Sequence, residues 1–461
     1  MPLDKSALSR LADVLGKDNL WTDEPRRQCY AYDAAGGRHL PDAVALAIDE
    51  DQVAGVIRLA NEKDFPVVPR GAGTGMTGGA VAVSGGLVLC LSRMDRILNI
   101  DAANLVADAE PGVVTGHFHR EVEKLGLFYP PDPSSSGYST LGGNVAECAG
   151  GPRAVKYGVT RDWVLGLRAV TGAGEVIRTG VRTAKGVVGY DLTRLLVGSE
   201  GTLAVVTGIT LRLTPLPSAV RTVTAVFDRM ATATAAVARV FAAGIVPRAM
   251  EFMDQASLKC AEEAIHAGLP VDAGGVLLLE VDGTATEADR EAQRLAEVCR
   301  EAGARQATAS GGPEAKKLWE ARKAISPALF RYGPHKINED IVVPVTSIPE
   351  MVETVERLAE ETGLTMVCFG HAGDGNIHFN IMLDKNDPKA FAQAGEAIRK
   401  VFEKVLSLGG TLSGEHGVGI TKSPFVSMEI SGPEIRLMRA VKDVFDPRGI
   451  LNPGKIFPPG S

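Results

Sequence analysis

Two glycine-rich stretches hold most of the side chains in this chain that could do chemistry. One is Gly370-His371-Ala372-Gly373-Asp374-Gly375-Asn376-Ile377-His378-Phe379-Asn380, and the other Ser413-Gly414-Glu415-His416-Gly417-Val418-Gly419. His371 and His378 flank a tight Gly-Asp-Gly turn. Strands entering and leaving such a turn can aim both imidazoles at one point, and Glu415 adds a hard oxygen ligand. Two histidines and a carboxylate with open positions suit zinc, iron or manganese. The plain alternative is that each histidine is an isolated core or surface residue. Three of them in glycine-rich turns weigh against it.

A third stretch, PRGAGTGMTGG, carries glycines at 71, 73, 75, 78 and 79 with hydroxyls at Thr74 and Thr77. Successive backbone N–H groups bared by glycine make a concave anion site, and a pyrophosphate fits one. The loop lacks the Lys-Ser/Thr ending of a Walker A loop. It is not the dinucleotide fingerprint either, because the residues from Val81 onward do not read as a helix. Taken alone, such a loop is equally a set of structural turns.

The elements that must position these groups fall into two textures. Residues 1–36 read as a helical lead-in, with Leu8, Leu11 and Leu15 on one face. From Ala43, AVALAID, a helix over DQVAGVIRLANEKD and FPVVPRG make a β-α-β alternation that feeds directly into the glycine loop. Strand-sized runs follow at GGLVLCLS, RILNID and LVADAEPG, then an amphipathic helix around HFHREVEKLG. Residues 131–158, rich in Gly, Ser, Pro and Ala, read as a long functional loop. Strands resume at VLGLRAVT and EVIRTG, and Pro215 and Pro217 mark a boundary. Beyond it, helical faces at 285–304, 349–362 and 388–408 alternate with strands RTVTAVF, GVLLLEVD, INEDIVVPV, TMVCFGH and NIHFNIML. This is an α+β pattern with too little β-α-β regularity for a Rossmann domain.

Composition removes several function classes. A chain of 461 residues exceeds what one hydrophobic core organises, so two or three domains are expected. Lys and Arg number 49 against 56 Asp and Glu, a net charge of −7, which does not suit a protein that coats nucleic acid or an anionic membrane. The six cysteines lie apart with no C-x-x-C, which excludes iron–sulfur ligation and zinc ribbons and points to free thiols in a reducing compartment. The N-terminus lacks the apolar run of a signal peptide, and no stretch approaches the roughly 20 residues of a membrane span. A cytoplasmic protein is expected, held at an inner membrane only through a partner.

The glycine clusters also recur in a set order. After PRGAGTG come Pro131-Asp132-Pro133-Ser134-Ser135, Leu141-Gly142-Gly143-Asn144-Val145-Ala146, Gly150-Gly151, Lys156-Tyr157-Gly158 and Gly198-Ser199-Glu200-Gly201. This series resembles the FAD-binding domain of the vanillyl-alcohol-oxidase and p-cresol-methylhydroxylase superfamily. The resemblance implies a pyrophosphate loop at Arg70, Gly71, Ala72, Gly73, Thr74, Gly75, Thr77 and Gly78. It implies a stretch along the flavin ring and ribityl chain that includes Pro131, Asp132, Ser135, Gly142, Gly143, Asn144, Ala146, Gly150 and Gly151, with Tyr157 and Gly158 close behind. Glu200, Gly201, Val205 and Val206 would meet the adenosine portion, and Asn452 joins the set from the closing NPGKIF. Covalent members carry a His or Cys facing the flavin. Here no His lies between Leu40 and Glu110, and Cys148 sits among small residues, so non-covalent FAD is expected. Cys148 stands where the motif commonly reads Asn.

GHAGDGNIHFN, SGEHGVG and NPGKIF resemble the C-terminal domain of FAD-linked D-2-hydroxyacid dehydrogenases, a group with D-lactate dehydrogenases, the glycolate oxidase flavin subunit and D-2-hydroxyglutarate dehydrogenase. The fold so implied is α+β: a two-part FAD-binding domain of the p-cresol-methylhydroxylase (PCMH) type over 37–217 and a ferredoxin-like substrate or cap domain over 218–410. The helical segment 1–36 precedes them, and a C-terminal segment, 411–461, returns to complete the active site. The resemblance implies a divalent metal, commonly zinc, on His371, His378 and Glu415. It makes His416 the general base and Arg322 (in LWEARKAISPAL) and Lys336 (in HKINEDIVVP) the substrate-carboxylate ligands, and it places Asn380 beside the substrate.

Chemistry then follows from what such a reaction needs. The α-hydrogen of a 2-hydroxy acid leaves as hydride to the flavin while the hydroxyl proton passes to a base, which an imidazole suits. Arginine can grip the carboxylate in a forked geometry. With no cluster or second nucleotide fingerprint in the chain, the electron acceptor is external: a quinone, a cytochrome, an electron-transfer flavoprotein or an iron–sulfur subunit. A homodimer is one open assembly. D-lactate is the first expected substrate, glycolate the second and D-2-hydroxyglutarate the third. A non-catalytic flavin-binding subunit of an electron-transfer complex is the alternative of a different class, and aldonolactone or alcohol oxidation a further one.

Overall fold

The apolar run at residue 43 becomes strand Ala43–Leu46, followed by helix Glu50–Lys63 and strand Val67–Arg70. Asp49 caps the helix by accepting from the Gln52 N–H, and its Val53, Val56, Ile57 and Ala60 face inward. In the computed structural model, which describes residues 3–460, both strands pair in parallel with Leu87–Cys90 between them. Leu20–Trp21 extends that sheet on its outer side.

Two compact units emerge. One takes residues up to Gly150, Val159–Leu216 and everything from Glu415 onward; the other takes Gly151–Gly158 and Pro217–Gly414. The first unit adds a five-stranded antiparallel sheet in the order Ile97–Asp101, Val106–Ala109, Ala204–Arg212, Val164–Thr171, Val176–Gly180. Its core gathers Leu11 and Leu15 of the N-terminal helix, Val53, Ile57, Val67, Leu87, Val170, Val205 and Leu451.

The second unit is built on a seven-stranded antiparallel sheet. Its order is Gln306–Ser310, Ala219–Phe227, Gly275–Gly283, Ala249–Asp254, Thr365–His371, Asn376–Leu383, His335–Val342. Helices Gln255–Ile265 and Gly312–Ala328 pack over an apolar patch of Val226, Met253, Val276, Leu278, Val367 and Phe369.

Two sequence expectations are corrected. The stretch 131–158 is not one long loop: Leu141–Glu147 and Ala154–Tyr157 are helical. Thr140 caps the first of them, accepting from the Gly143 N–H, and Gly142 packs so tightly on Pro111 that a Cβ would lie 2.5 Å from the proline Cβ. Glycine is there for contact, and it erased the helical period. Residues 1–36 are only partly helical, because Gly16, at φ +82°, ends helix Lys5–Leu15. Cys148 closes helix Leu141–Glu147 at φ +54°. Asn also tolerates that left-handed C-terminal position well. Burial raises the Cys148 thiol pKa, so the thiol is not activated. All six cysteines are free. Among the described residues no helix is long and apolar enough to cross a membrane.

Candidate active site

Residues directly opposed in antiparallel strands project to the same face, so register alone shows which side chains meet. Glu251 opposes His371, His378 opposes both Phe369 and Asp340, and Asn380 opposes Val367 and Asn338. One end of a single sheet face therefore carries Glu251, His371, His378, Asp340, Asn380 and Asn338. Next to them on the same face are Met253, Phe369 and Val367, the apolar floor under helix Gly312–Ala328.

His371 is the last residue of its strand and His378 the third of the next. The turn between them requires Gly375, at φ +84°, where a Cβ would lie 2.0 Å from the Val343 carbonyl oxygen. The rings cross edge to face with centroids 5.1 Å apart, and their Nε2 atoms are 3.3 Å apart. Two nitrogens bound at about 2.0–2.1 Å to one tetrahedral cation are also about 3.3 Å apart. The pair thus fits two ligands of one metal as well as it fits a long hydrogen bond.

Behind His371 stands Glu251, a residue that sequence reasoning missed. Its Oε1 accepts from the His371 Nδ1–H at 2.6 Å, and Oε2 lies 2.7 Å from the Arg322 guanidinium. Arg322 comes down from its helix over the Phe369 ring, 4.7 Å from the centroid. Its buried Nε–H has no protein acceptor. The segment AMEFMD around Glu251 shows no alternation, so it gave no strand signal, and the carboxylate reaches His371 across 120 residues.

The other expected residues of this unit have defined partners of their own. Asn380 is fully buried, accepts from Asn338 Nδ2 at 2.6 Å and donates to the carbonyls of Val367 and His378. Lys336 opposes Met382, four residues along its strand from Asp340, a rise of about 13 Å. Its ammonium donates to Ser326 Oγ at 2.7 Å, one helical turn after Arg322, and burial lowers its pKa. Tyr157 belongs to the same unit and donates to Asp282 at 2.8 Å; burial, and then this bond, raises the phenol pKa above its ordinary value.

In the first unit the glycine loop meets the requirement for an anion cradle. Among the described residues no protein group accepts from the backbone N–H of any residue from Gly71 to Gly79. Thr77 instead donates its hydroxyl to the His416 carbonyl at 3.2 Å, while its own carbonyl accepts from Ile420 N–H. Glu200 takes the N–H groups of Val418 and Gly419, each at 2.7 Å, which fixes the segment carrying His416. Burial raises the Glu200 carboxyl pKa. Asn452, at φ +41°, donates to the carbonyls of Gly79 and Glu200 and so clamps the end of the chain. Asn144 is buried on Thr115, and the Pro131 carbonyl accepts from His119. Glu415 opens the last segment of this unit; Gly414 closes the other unit, where it donates its N–H to Asp340 of that same unit.

Comparison with known proteins agrees with both halves. Residues 41–180 match the FAD binding domain family, and residues 216–456 match the family described as FAD linked oxidases, C-terminal domain. The glycolate oxidase subunit GlcD of Bacillus subtilis (strain 168) is 42% identical over 99% of this chain and 97% of its own length. D-lactate dehydrogenase of Anaerostipes hadrus is 36% identical over 91% and 90%, and D-2-hydroxyglutarate dehydrogenase of Stutzerimonas stutzeri (strain A1501) 33% identical over 98% and 99%. A crystal structure of p-cresol methylhydroxylase shares the fold, with a TM-score of 0.84 at 18% identity, covering 98% of this chain and 96% of that one. The p-cresol-methylhydroxylase-type FAD fold joined to an antiparallel α+β domain, together with relatives matched along nearly the whole chain, makes this protein a member of the FAD-linked oxidase family of oxidoreductases.

Proposed function

We propose that this protein oxidises a D-2-hydroxy acid to the 2-oxo acid, D-lactate first and glycolate second, and hands the electrons to an external acceptor. The observation that carries the reading is the buried Arg322 guanidinium, which keeps an unpartnered Nε–H and shares the Glu251 carboxylate with His371. A desolvated cation with a spare donor suits a substrate carboxylate. Glycolate oxidase, D-lactate dehydrogenase and D-2-hydroxyglutarate dehydrogenase relatives support the same substrate class.

In this reading Arg322 grips the carboxylate, and Lys336, tied to Ser326 one turn away, adds positive field at that end. Asn380 holds the floor through its bonds to Asn338 and the His378 carbonyl. His416 accepts the hydroxyl proton. FAD, bound non-covalently along the Gly71–Gly79 loop, supplies the two-electron acceptor. A divalent cation, zinc or manganese, on His371, His378 and Glu415 would supply Lewis acidity toward the hydroxyl. The acceptor beyond the flavin is a quinone, an electron-transfer flavoprotein or an iron–sulfur subunit.

Purified protein assayed with D- and L-2-hydroxy acids and an artificial electron acceptor tests the reading. D-lactate or glycolate should bleach the flavin and reduce the dye, while L-lactate should not. A yellow protein unbleached by every 2-hydroxy acid would overturn the proposal in favour of a non-catalytic flavin subunit.

A further inference from the structure

Glu251 is fully buried in the middle of a core sheet. Ionised carboxylates are costly to bury unless charge and hydrogen bonds compensate them. Its Oε1 is hydrogen-bonded by the His371 imidazole at 2.6 Å, and its Oε2 is ion-paired with the Arg322 guanidinium at 2.7 Å, out of hydrogen-bonding alignment. Its neighbours across the strands are His371 on one side and Leu278 on the other, so the charge faces no water. A carboxylate that only filled space would be replaced by an apolar residue at no loss. This one joins two groups whose chemistry must be coordinated.

The hydrogen bond to Nδ1 selects one imidazole tautomer. With Nδ1–H donated to Glu251, the lone pair of His371 sits on Nε2, the atom that faces His378 Nε2 at 3.3 Å. Acceptors behind a ligating histidine fix its ring and raise its basicity. The second oxygen holds the guanidinium over Phe369 while leaving its Nε–H without a protein acceptor.

We propose that Glu251 is a positioning residue that locks the Arg322 guanidinium and the His371 imidazole to each other, so that grip on the acid's carboxylate and metal affinity rise and fall together. This rests on the function proposed above. Glutamine at 251 keeps the shape but cannot serve both partners. If its oxygen accepts from His371, its NH2 faces Arg322, donor against donor. If the amide is flipped, Nδ1 of His371 must be bare and Nε2 carries the proton.

The test measures Zn²⁺ affinity of FAD-loaded wild type, E251Q, E251D and M253L by competition with a chromophoric chelator, and KM for D-lactate in the same samples. Met253 is the control: it is buried two residues along the same strand and packs in the apolar core. E251Q should weaken Zn²⁺ binding about 10- to 100-fold and raise KM while the flavin absorbance stays at the wild-type level. E251D, one methylene short of spanning both partners, should fall between, and M253L should match wild type. Zn²⁺ affinity and KM unchanged in E251Q would overturn the inference. So would an equal loss of affinity in M253L, which would mark a merely structural role. If E251Q fails to fold as a flavoprotein, E251D decides by the same two measurements. A wild type that oxidises D-lactate but binds no divalent cation overturns the coupling while leaving the substrate class standing. A wild type that does not oxidise the acid overturns the function itself.

Discussion

At the scale of single residues, the chemistry rests on which charges are kept dry. Arg322 is 8% exposed and sits against Glu251, so its loss strands a buried carboxylate as well as releasing the substrate. Truncating one partner of such a pair costs about 2–5 kcal/mol, equivalent to roughly 30-fold or more in affinity. R322M should therefore cut kcat/KM for D-lactate by at least that factor in steady-state assays. K336M should cost less than about tenfold, because the Lys336 ammonium is tied to Ser326 and stands about 13 Å along its strand from the level of His378. The histidines were readable from the sequence because a short turn joins them. Glu251 was not, because its partners come from other strands and a helix far along the chain.

At the scale of elements, glycines and caps decide where backbone can run. In helix Leu141–Glu147, G142A would push a methyl into Pro111, with contacts at 2.5 and 3.0 Å. The expected cost is about 1–3 kcal/mol, seen as a fall of several degrees in Tm by circular dichroism. The C-terminal clamp gives a pH-dependent prediction. Burial holds the Lys455 ammonium at about 8, and its Nζ donates to the Val81 carbonyl at 2.6 Å. Between about 8 and the ordinary lysine value of 10.5, the unfolded chain binds a proton that the folded chain lacks. Stability contributed by this group therefore rises with pH across that window, and below it the burial cost is carried in full. The unfolding free energy of wild type minus that of K455M should rise between about pH 7.5 and 9.5; a flat or falling difference would contradict the assignment. Long amphipathic helices such as Ala285–Glu301, Ile348–Thr362 and Pro388–Ser407 were legible from period alone. Helix Leu141–Glu147 was not, because its glycines answer to contact rather than to helical propensity.

At the scale of the whole molecule, the proposed FAD cradle and the two histidines of the proposed metal set are built into different units, while Glu415 belongs to the same unit as the cradle. The Gly71–Gly79 cradle belongs to the first, and the His371–His378 pair, with its Glu251 support, to the second. Prolonged chelation should accordingly abolish D-lactate oxidation while the yellow absorbance persists, and Zn²⁺ or Mn²⁺ should restore activity. Loss of flavin along with the metal would argue against that division. Stripping FAD should instead lower Tm, with recovery at about 100 times Kd worth about 2.7 kcal/mol.

Local order was written in the sequence: alternating strands and helices, capped turns, and glycine runs where backbone must pass close to something. The β-α-β entry, the glycine loop and the paired histidines could be read because each is set by residues a few positions apart. What only the folded chain decided was long-range register. Antiparallel pairing sets Glu251 opposite His371, and helix packing brings Arg322 onto the same carboxylate. No local pattern encodes such a meeting, because it depends on how four separate stretches bury one apolar floor.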